Sequence, residues 1–285
     1  MKLAVLSGKG GTGKTLVSVN LAAVAKNSIY VDCDVEEPNG HLFFKPVGIK
    51  NETVAIKIPI VDAALCLGCR KCVDFCKFNA LAAIVNKLIV FDDICHSCGG
   101  CIMLCPNNAL TEKDKVIGEI NTGISEEVKV ISGILNTGEA SGIPIIKEVL
   151  NKIAAEEKLI LIDCPPGSAC IVMESIKDAD YCILVAEPTV FGLHNLKMAY
   201  ELVGLFNKPH GVVINKTLAN SHLIEDFCDE NKIKILSKIP YDSELGTLNS
   251  NGEIAARKSA VYKELFSSLL QTVVKEVEHE TVTHS

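Results

Sequence analysis

Two hundred and eighty-five residues, 48% of them hydrophobic and 22% charged, make a chain long enough to bury a core and too apolar for a disordered tail or a collagen-like repeat. Its 28 basic and 35 acidic residues give a net charge of −7, which argues against a general nucleic-acid or anionic-membrane binder. Thirteen cysteines stand out: with no leader expected before the strand-like start and no apolar run of ~18 residues, the chain is expected in the cytoplasm, where clustered thiols mean metal and not disulfide staples.

Residues 2–6 read as a buried strand, the glycine-rich run from Gly8 to Thr15 as a loop, and residues 16–26 as a buried helix. Strand, loop and helix in that order are the context that G-x-x-x-x-G-K-[ST] requires. Gly8, Gly10, Gly11, Thr12 and Gly13 are expected to turn backbone N–H groups toward phosphates at a helix N-terminus. Lys14 is expected to reach the β- and γ-phosphates of ATP, and the Thr15 hydroxyl to ligate Mg²⁺. A second strand, residues 28–31, closes on Asp32-Cys33-Asp34.

Between residues 66 and 105 lie eight cysteines in two runs of C-x₂-C-x₂-C-x₃-C spacing: Cys66, Cys69, Cys72, Cys76, then Cys95, Cys98, Cys101, Cys105. Asn79-Ala80-Leu81 recurs at the same displacement as Asn108-Ala109-Leu110, so the unit is a duplicated half-module. Four thiolates also suit zinc, whereas three cysteines at two-residue gaps, repeated, suit an iron–sulfur cube. Pro59 near the entry and the polar residues 111–115 at the exit bound an insert at 53–115, leaving 1–52 and 116–285 as one discontinuous domain. Further on, residues 158–163 form an apolar run ending on Asp163, followed by Cys164-Pro165-Pro166-Gly167, and residues 181–186 and 211–214 supply two more strands. Near the C-terminus Tyr262, Leu265, Phe266, Leu269, Leu270, Val273 and Val277 form a helical stripe without a basic face, expected to pack into the core and not onto a membrane.

Lys9, directly after the first glycine, makes the loop G-K-G-G-T-G-K-T, which resembles the deviant phosphate loop of the MinD/ParA-type P-loop ATPases, the group that includes the nitrogenase iron protein. The resemblance implies an α/β fold, a Rossmann-like three-layer P-loop domain on a mostly parallel sheet, and a homodimer formed on ATP binding in which Lys9 crosses to the partner's phosphates. It implies that Asp34 orients the attacking water, that Asp163 holds Mg²⁺ and that Gly167 offers backbone near the γ-phosphate. Asn215 and Pro240 fall where relatives contact the base, and residues 187–194 resemble the E-P-T-x-x-G-L-H segment of ferredoxin-bearing members. The insert is similar to a bacterial-type ferredoxin, an α+β module with two [4Fe–4S] clusters. By that likeness Cys66, Cys69, Cys72 and Cys105 hold one and Cys95, Cys98, Cys101 and Cys76 the other. Cys170 matches a bridging ligand of the nitrogenase iron protein, but its companion position falls near Glu139, so no subunit-bridging cluster is expected. The function so implied is ATP-coupled electron transfer to a redox or iron–sulfur client protein. An iron–sulfur carrier ATPase and a ParA-like positioning ATPase are the alternatives, and neither nucleic acid nor membrane is an expected partner.

Overall fold

The computed structural model describes residues 1–85, 87–217 and 222–283. In chain order the elements are β1 (Lys2–Leu6), α1 (Lys14–Val24), β2 (Ile29–Asp32), α2 (Gly40–Phe44), β3 (Val47–Val61), α3 (Lys71–Phe75), β4 (Leu81–Ile84), β5 (Lys87–Val90), α4 (Gly100–Met103), β6 (Leu110–Ser125), β7 (Val128–Leu135) and α5 (Ile143–Lys152). They continue as β8 (Ile160–Asp163), α6 (Cys170–Ile176), β9 (Tyr181–Ala186), α7 (Val190–Leu205), β10 (His210–Thr217), α8 (Leu223–Glu230), β11 (Lys234–Pro240), α9 (Ser243–Ser250), α10 (Ala255–Lys258) and α11 (Ala260–Thr283).

One sheet carries the order β11-β10-β9-β1-β8-β2-β7-β6-β3. Its strands run parallel from β11 to β7 and antiparallel from β7 through β6 to β3. The central strands are apolar on both faces because helices cover both. Along β1, Ala4 and Leu6 join the core under α5–α8, while Leu3 and Val5 face α1, α10 and α11. The result is a three-layer α/β fold on a mostly parallel sheet. The C-terminal stripe lies inside it: Tyr262, Phe266, Leu269, Val273 and Val277 are buried. Among the described residues no helix is long and apolar enough to cross a membrane.

The phosphate loop leaves the carboxyl end of β1, which lies between β8 and β9. Its chain turns through α1 to β2 on one side, and β8 later returns through α6 to β9 on the other. A crevice forms at such a reversal, outside the carboxyl ends of the strands.

The expected insert differs from a linker-joined domain. Strands β3 and β6 pair from Val47↔Ile124 to Val61↔Leu110, with a register shift between Val47 and Lys50 and another beyond Val54, so positions 53 and 115 fall inside a two-stranded ribbon. A bulge lies where Val54 pairs with Gly118 and Ala55 with Val116. There the extra residue, Ile117, is buried in the core of the body, and the ribbon leaves the sheet as an arm. Both cysteine runs and the β4–β5 hairpin sit between its two ends. The sequence pattern of β3, exposed on nearly every residue to position 53, has no alternation to announce a strand.

Candidate functional site

The phosphate loop is held from behind by backbone and side chains that leave its front open. A Cβ on Gly8 would collide with the Asn195 carbonyl, and Gly13, at φ +97°, is packed against the Asn215 amide. Around Gly10 and Gly11 there is open space. This side faces a cleft of about 420 Å³ whose lining includes Lys9, Lys14, Thr15, Asp34, Phe43, Pro166 and Asn249. The start of α1, capped by Gly13, points its free N–H groups there.

Lys14 is the charge centre. Its Nζ donates to Asp163 Oδ1 at 2.8 Å and lies 3.8 Å from Asp34 Oδ2, with Lys14 only 7% and Asp163 1% exposed. Burial works against the ammonium, but Asp163, then Asp34 and Asp32, outweigh it and hold the Lys14 pKa above its ordinary value. Tyr30, from β2, donates its hydroxyl to the other Asp163 oxygen at 2.8 Å. Burial first, and then Asp163, push the Tyr30 phenol well up. Asp32 is buried and accepts from the Asp34 and Gly40 N–H groups at 3.1 and 2.8 Å. Burial and the nearby Asp163 push its carboxyl up to about 7, and burial pushes Asp34 up to about 6. Four acidic groups, Tyr30 and Asp32 of β2, Asp34 just after it and Asp163 of β8, thus surround one lysine of α1.

Lys9 lies 3.1 Å from Glu187 Oε2, with its ammonium 5.2 Å from the Phe191 ring centroid. Lys216 pairs with the other Glu187 oxygen at 2.6 Å and donates to the Gly11 carbonyl at 3.1 Å. Burial opposes the Glu187 charge, yet the two lysines hold its pKa below the ordinary value. Gly167, at φ +99°, donates its N–H to the Ser7 carbonyl at 3.0 Å. Asn215 sits behind the loop, where its Nδ2 donates to the Thr12 carbonyl at 2.8 Å and its Oδ1 accepts from Lys216 N–H at 3.0 Å. Pro240 ends β11 opposite Thr217, and neither it nor Asn215 lines the cleft. Sequence reading passed over the Tyr30 phenol and the Lys216 ammonium, and named Asp32 only as the first acid of Asp32-Cys33-Asp34. The available signal was polar atoms placed at the ends of otherwise apolar strands.

The cysteine runs repeat in backbone as well as in sequence. Gly68 and Arg70 flank Cys69 with positive φ, as Ser97 and Gly99 flank Cys98, and Asn79 matches Asn108. Helix α3 follows the first run's loop as α4 follows the second's. Ala80 N–H donates to Cys76 Sγ at 3.4 Å and Ala109 N–H to Cys105 Sγ at 3.2 Å. Cys66, Cys69, Cys72 and Cys105 line one cavity together with Leu67, Leu88, Pro106 and Leu110. The thiols facing Cys72 are Cys69 and Cys105, and those facing Cys95 are Cys98 and Cys76. Cys105 thus shares a cavity with the first run, and Cys76 lies near enough to Cys95 of the second to act on its charge. Burial pushes the Cys72 and Cys95 thiols up, and that of Cys101 up to about 11. Among the described residues no three His, Cys, Asp or Glu side chains converge as they would on one metal ion, whereas a four-iron cube takes its sulfurs at four separate corners. Three thiols from one run and one from the other, around an apolar cavity, have the donor chemistry that such a cube takes. The remaining cysteines divide into buried Cys33, Cys164, Cys182 and Cys228 and exposed Cys170.

The profile of the CobQ/CobB/MinD/ParA nucleotide-binding domain family matches residues 3–255, and the chain belongs to that family. An uncharacterized protein of Methanocaldococcus jannaschii is 30% identical over 290 residues, covering 96% of this chain and 98% of its own. The septum site-determining protein MinD of Pyrococcus horikoshii, solved in complex with Mg-ADP, superposes with a TM-score of 0.58 at 20% identity, covering 95% of each chain, which speaks for the fold. The iron-sulfur cluster carrier protein of M. jannaschii is 24% identical, with 97% of this chain and 85% of its own covered.

Proposed function

We propose that the chain is a Mg·ATP-dependent homodimeric ATPase that couples its nucleotide state to electron transfer through two [4Fe–4S] clusters. The observation that carries the reading is the cavity bounded by three thiols of the first run and one of the second, borne on an arm of the same sheet that positions the phosphate loop. On the nucleotide side, the loop N–H groups and the α1 terminus bind phosphate, and Lys14 transfers its ammonium from Asp163 to the β- and γ-phosphates. That exchange frees a carboxylate oxygen of Asp163. Thr15 and Asp163 would hold Mg²⁺, which offsets charge on the transferring phosphoryl group. Asp34 orients the attacking water, and Gly167 offers flexible backbone near the γ-phosphate once its N–H leaves the Ser7 carbonyl. Lys9 leaves Glu187 to reach the phosphates of the second copy. On the module, Cys66, Cys69, Cys72 and Cys105 would hold one cluster and Cys95, Cys98, Cys101 and Cys76 the other. When bound, such clusters supply one-electron chemistry. The arm residues fix their distance from the body, and the apolar walls exclude water.

The test begins with iron: about eight per chain after anaerobic reconstitution is expected, against none with two bound zinc ions. The reduced, loaded protein is then incubated with ATP and an acceptor protein. Electrons leaving while iron stays supports the proposal, and iron leaving to an apo-protein supports a cluster carrier. That second reading is favoured by the similarity to the M. jannaschii carrier. ATP-dependent dimers with neither transfer would instead fit a positioning ATPase. Lys14→Ala is expected to abolish ATP turnover while iron content stays at the natural value. Turnover at the natural rate in that variant would remove Lys14 from the mechanism.

A further inference from the structure

The two cysteine runs are tied to the rest of the chain at different heights. The first is held at the arm's tip, where Asp62 N–H donates to the Ala109 carbonyl and Asn107 Nδ2 to the Leu65 carbonyl. The second folds back along the arm: Ser97 Oγ donates to the Lys57 carbonyl, Lys113 Nζ to Asp92 Oδ2 at 2.7 Å, and Lys115 Nζ to the Asp92 carbonyl and Asp93 Oδ1 at 3.1 and 2.9 Å. Lys115 has one more bond, to Glu139 Oε2 at 2.8 Å. Its three ammonium protons thus meet acceptors on the cysteine module and on the ATPase body together. Asp93 is 82% exposed and its ion pair is screened, whereas Lys115 and Glu139 are only 15% and 12% exposed. The Asp92 carbonyl and Glu139 therefore define the geometry.

Glu139 belongs to the loop at 136–142, which follows β7, and the end of β7 and the loop's last residue pack on Val35, the neighbour of Asp34 in the cleft. Leu135 N–H donates to the Val35 carbonyl at 2.8 Å. A Cβ on Gly142 would overlap Val35 and come within 3.2 Å of Ile171, and one on Gly133 would lie 2.8 Å from Val35. Val35 follows Asp34 of the cleft, and Ile171 lies in the first turn of α6, past Gly167. At Gly133 of β7 and Gly142 of the loop no side chain cushions the contact, so a shift of residues 34–35 meets the backbone of both. The other side of the loop is pinned to β6 by Asn136 N–H on the Ile117 carbonyl.

We infer that Lys115 is a positioning residue that links the nucleotide cleft, through the loop at 136–142, to the segment carrying Cys95 and Cys98, an inference that rests on the electron-transfer reading above. Through it the thiols Cys95 and Cys98 of the second run, and not those of the first run, respond to bound nucleotide. Hydrogen exchange of the full chain, with and without Mg²⁺ and a non-hydrolysable ATP analogue, reads the amides of residues 92–98 and needs no iron. Nucleotide should change exchange there by about fivefold in the natural protein and in Lys115→Arg, and by less than about twofold in Lys115→Ala. Glu139→Gln, which keeps shape and removes charge, should also lose the response and serves if alanine at 115 does not fold. A full response in both Lys115→Ala and Glu139→Gln, or none in the natural protein, overturns the inference. On loaded protein, a nucleotide-dependent shift in midpoint potential should vanish in Lys115→Ala at unchanged iron content, and its persistence counts against the link. Failure of the electron-transfer reading shows separately, as absent iron or absent electron transfer while exchange still depends on Lys115.

Discussion

Asp34 and Asp32 carry a pH signature. Both titrate well above the ~3.9 of an unfolded aspartate, at about 6 and about 7, chiefly because burial penalises their charge. The folded state therefore binds protons more tightly than the unfolded chain between about pH 4 and these values, so the two residues subtract stability as pH rises through that window. Asp34→Asn removes one contribution. The nucleotide-free variant should lose less melting temperature than the natural protein between about pH 4 and pH 6 and melt higher at neutral pH, while its ATP turnover falls by about a hundredfold. Equal pH slopes for the two proteins would show that Asp34 is not strained by its setting. Consecutive residues of one loop made Lys14 and Thr15 legible in sequence, because phosphate binding needs glycines and a lysine at fixed spacing. Asn215 was not legible in the same way. Its role at the back of the loop depends on the packing of β10 beneath Gly13, which no local spacing records.

Among the elements, the segment E-P-T-x-x-G-L-H acquires a physical reading. Glu187 restrains Lys9 and Lys216, Thr189 accepts from Gly192 N–H at 2.9 Å as the N-cap of α7, and a Cβ at Gly192 would strike the Glu187 carbonyl. His194 is exposed, so helix geometry and not a catalytic imidazole accounts for the run. Thr189→Ala should cost about 1 kcal/mol, measured as a lower urea midpoint at unchanged slope. A midpoint at the natural value would mean that water replaces the cap without loss. Among the parallel strands, β1, β2, β8, β9 and β10 could be read from apolar runs bounded by acids or glycines, whereas β7 and β11 were not read. The antiparallel extension could not, since β6 and β3 are half-exposed ribbons rich in lysine and glutamate, and their pairing spans about fifty intervening residues.

At the scale of the whole molecule, the paired ends of the arm make the cysteine module separable. Ile56 and Lys115 are register partners, so replacing residues 57–114 by Asn-Gly closes β3 and β6 as a hairpin while keeping buried Val54, Ile117 and Ile120. The shortened chain should fold, bind nucleotide and hold no iron, as checked by thermal melting, nucleotide titration and metal analysis; failure to fold would show that the module belongs to the body's core. The bulge at Ile117 has a mechanical consequence. Eight steps of β3 from Thr53 to Val61 extend roughly 27 Å, so a rotation of about 5° at the root carries the tip about 2 Å. The ribbon is a lever with its fulcrum in the core, and a small rotation there is magnified at the tip.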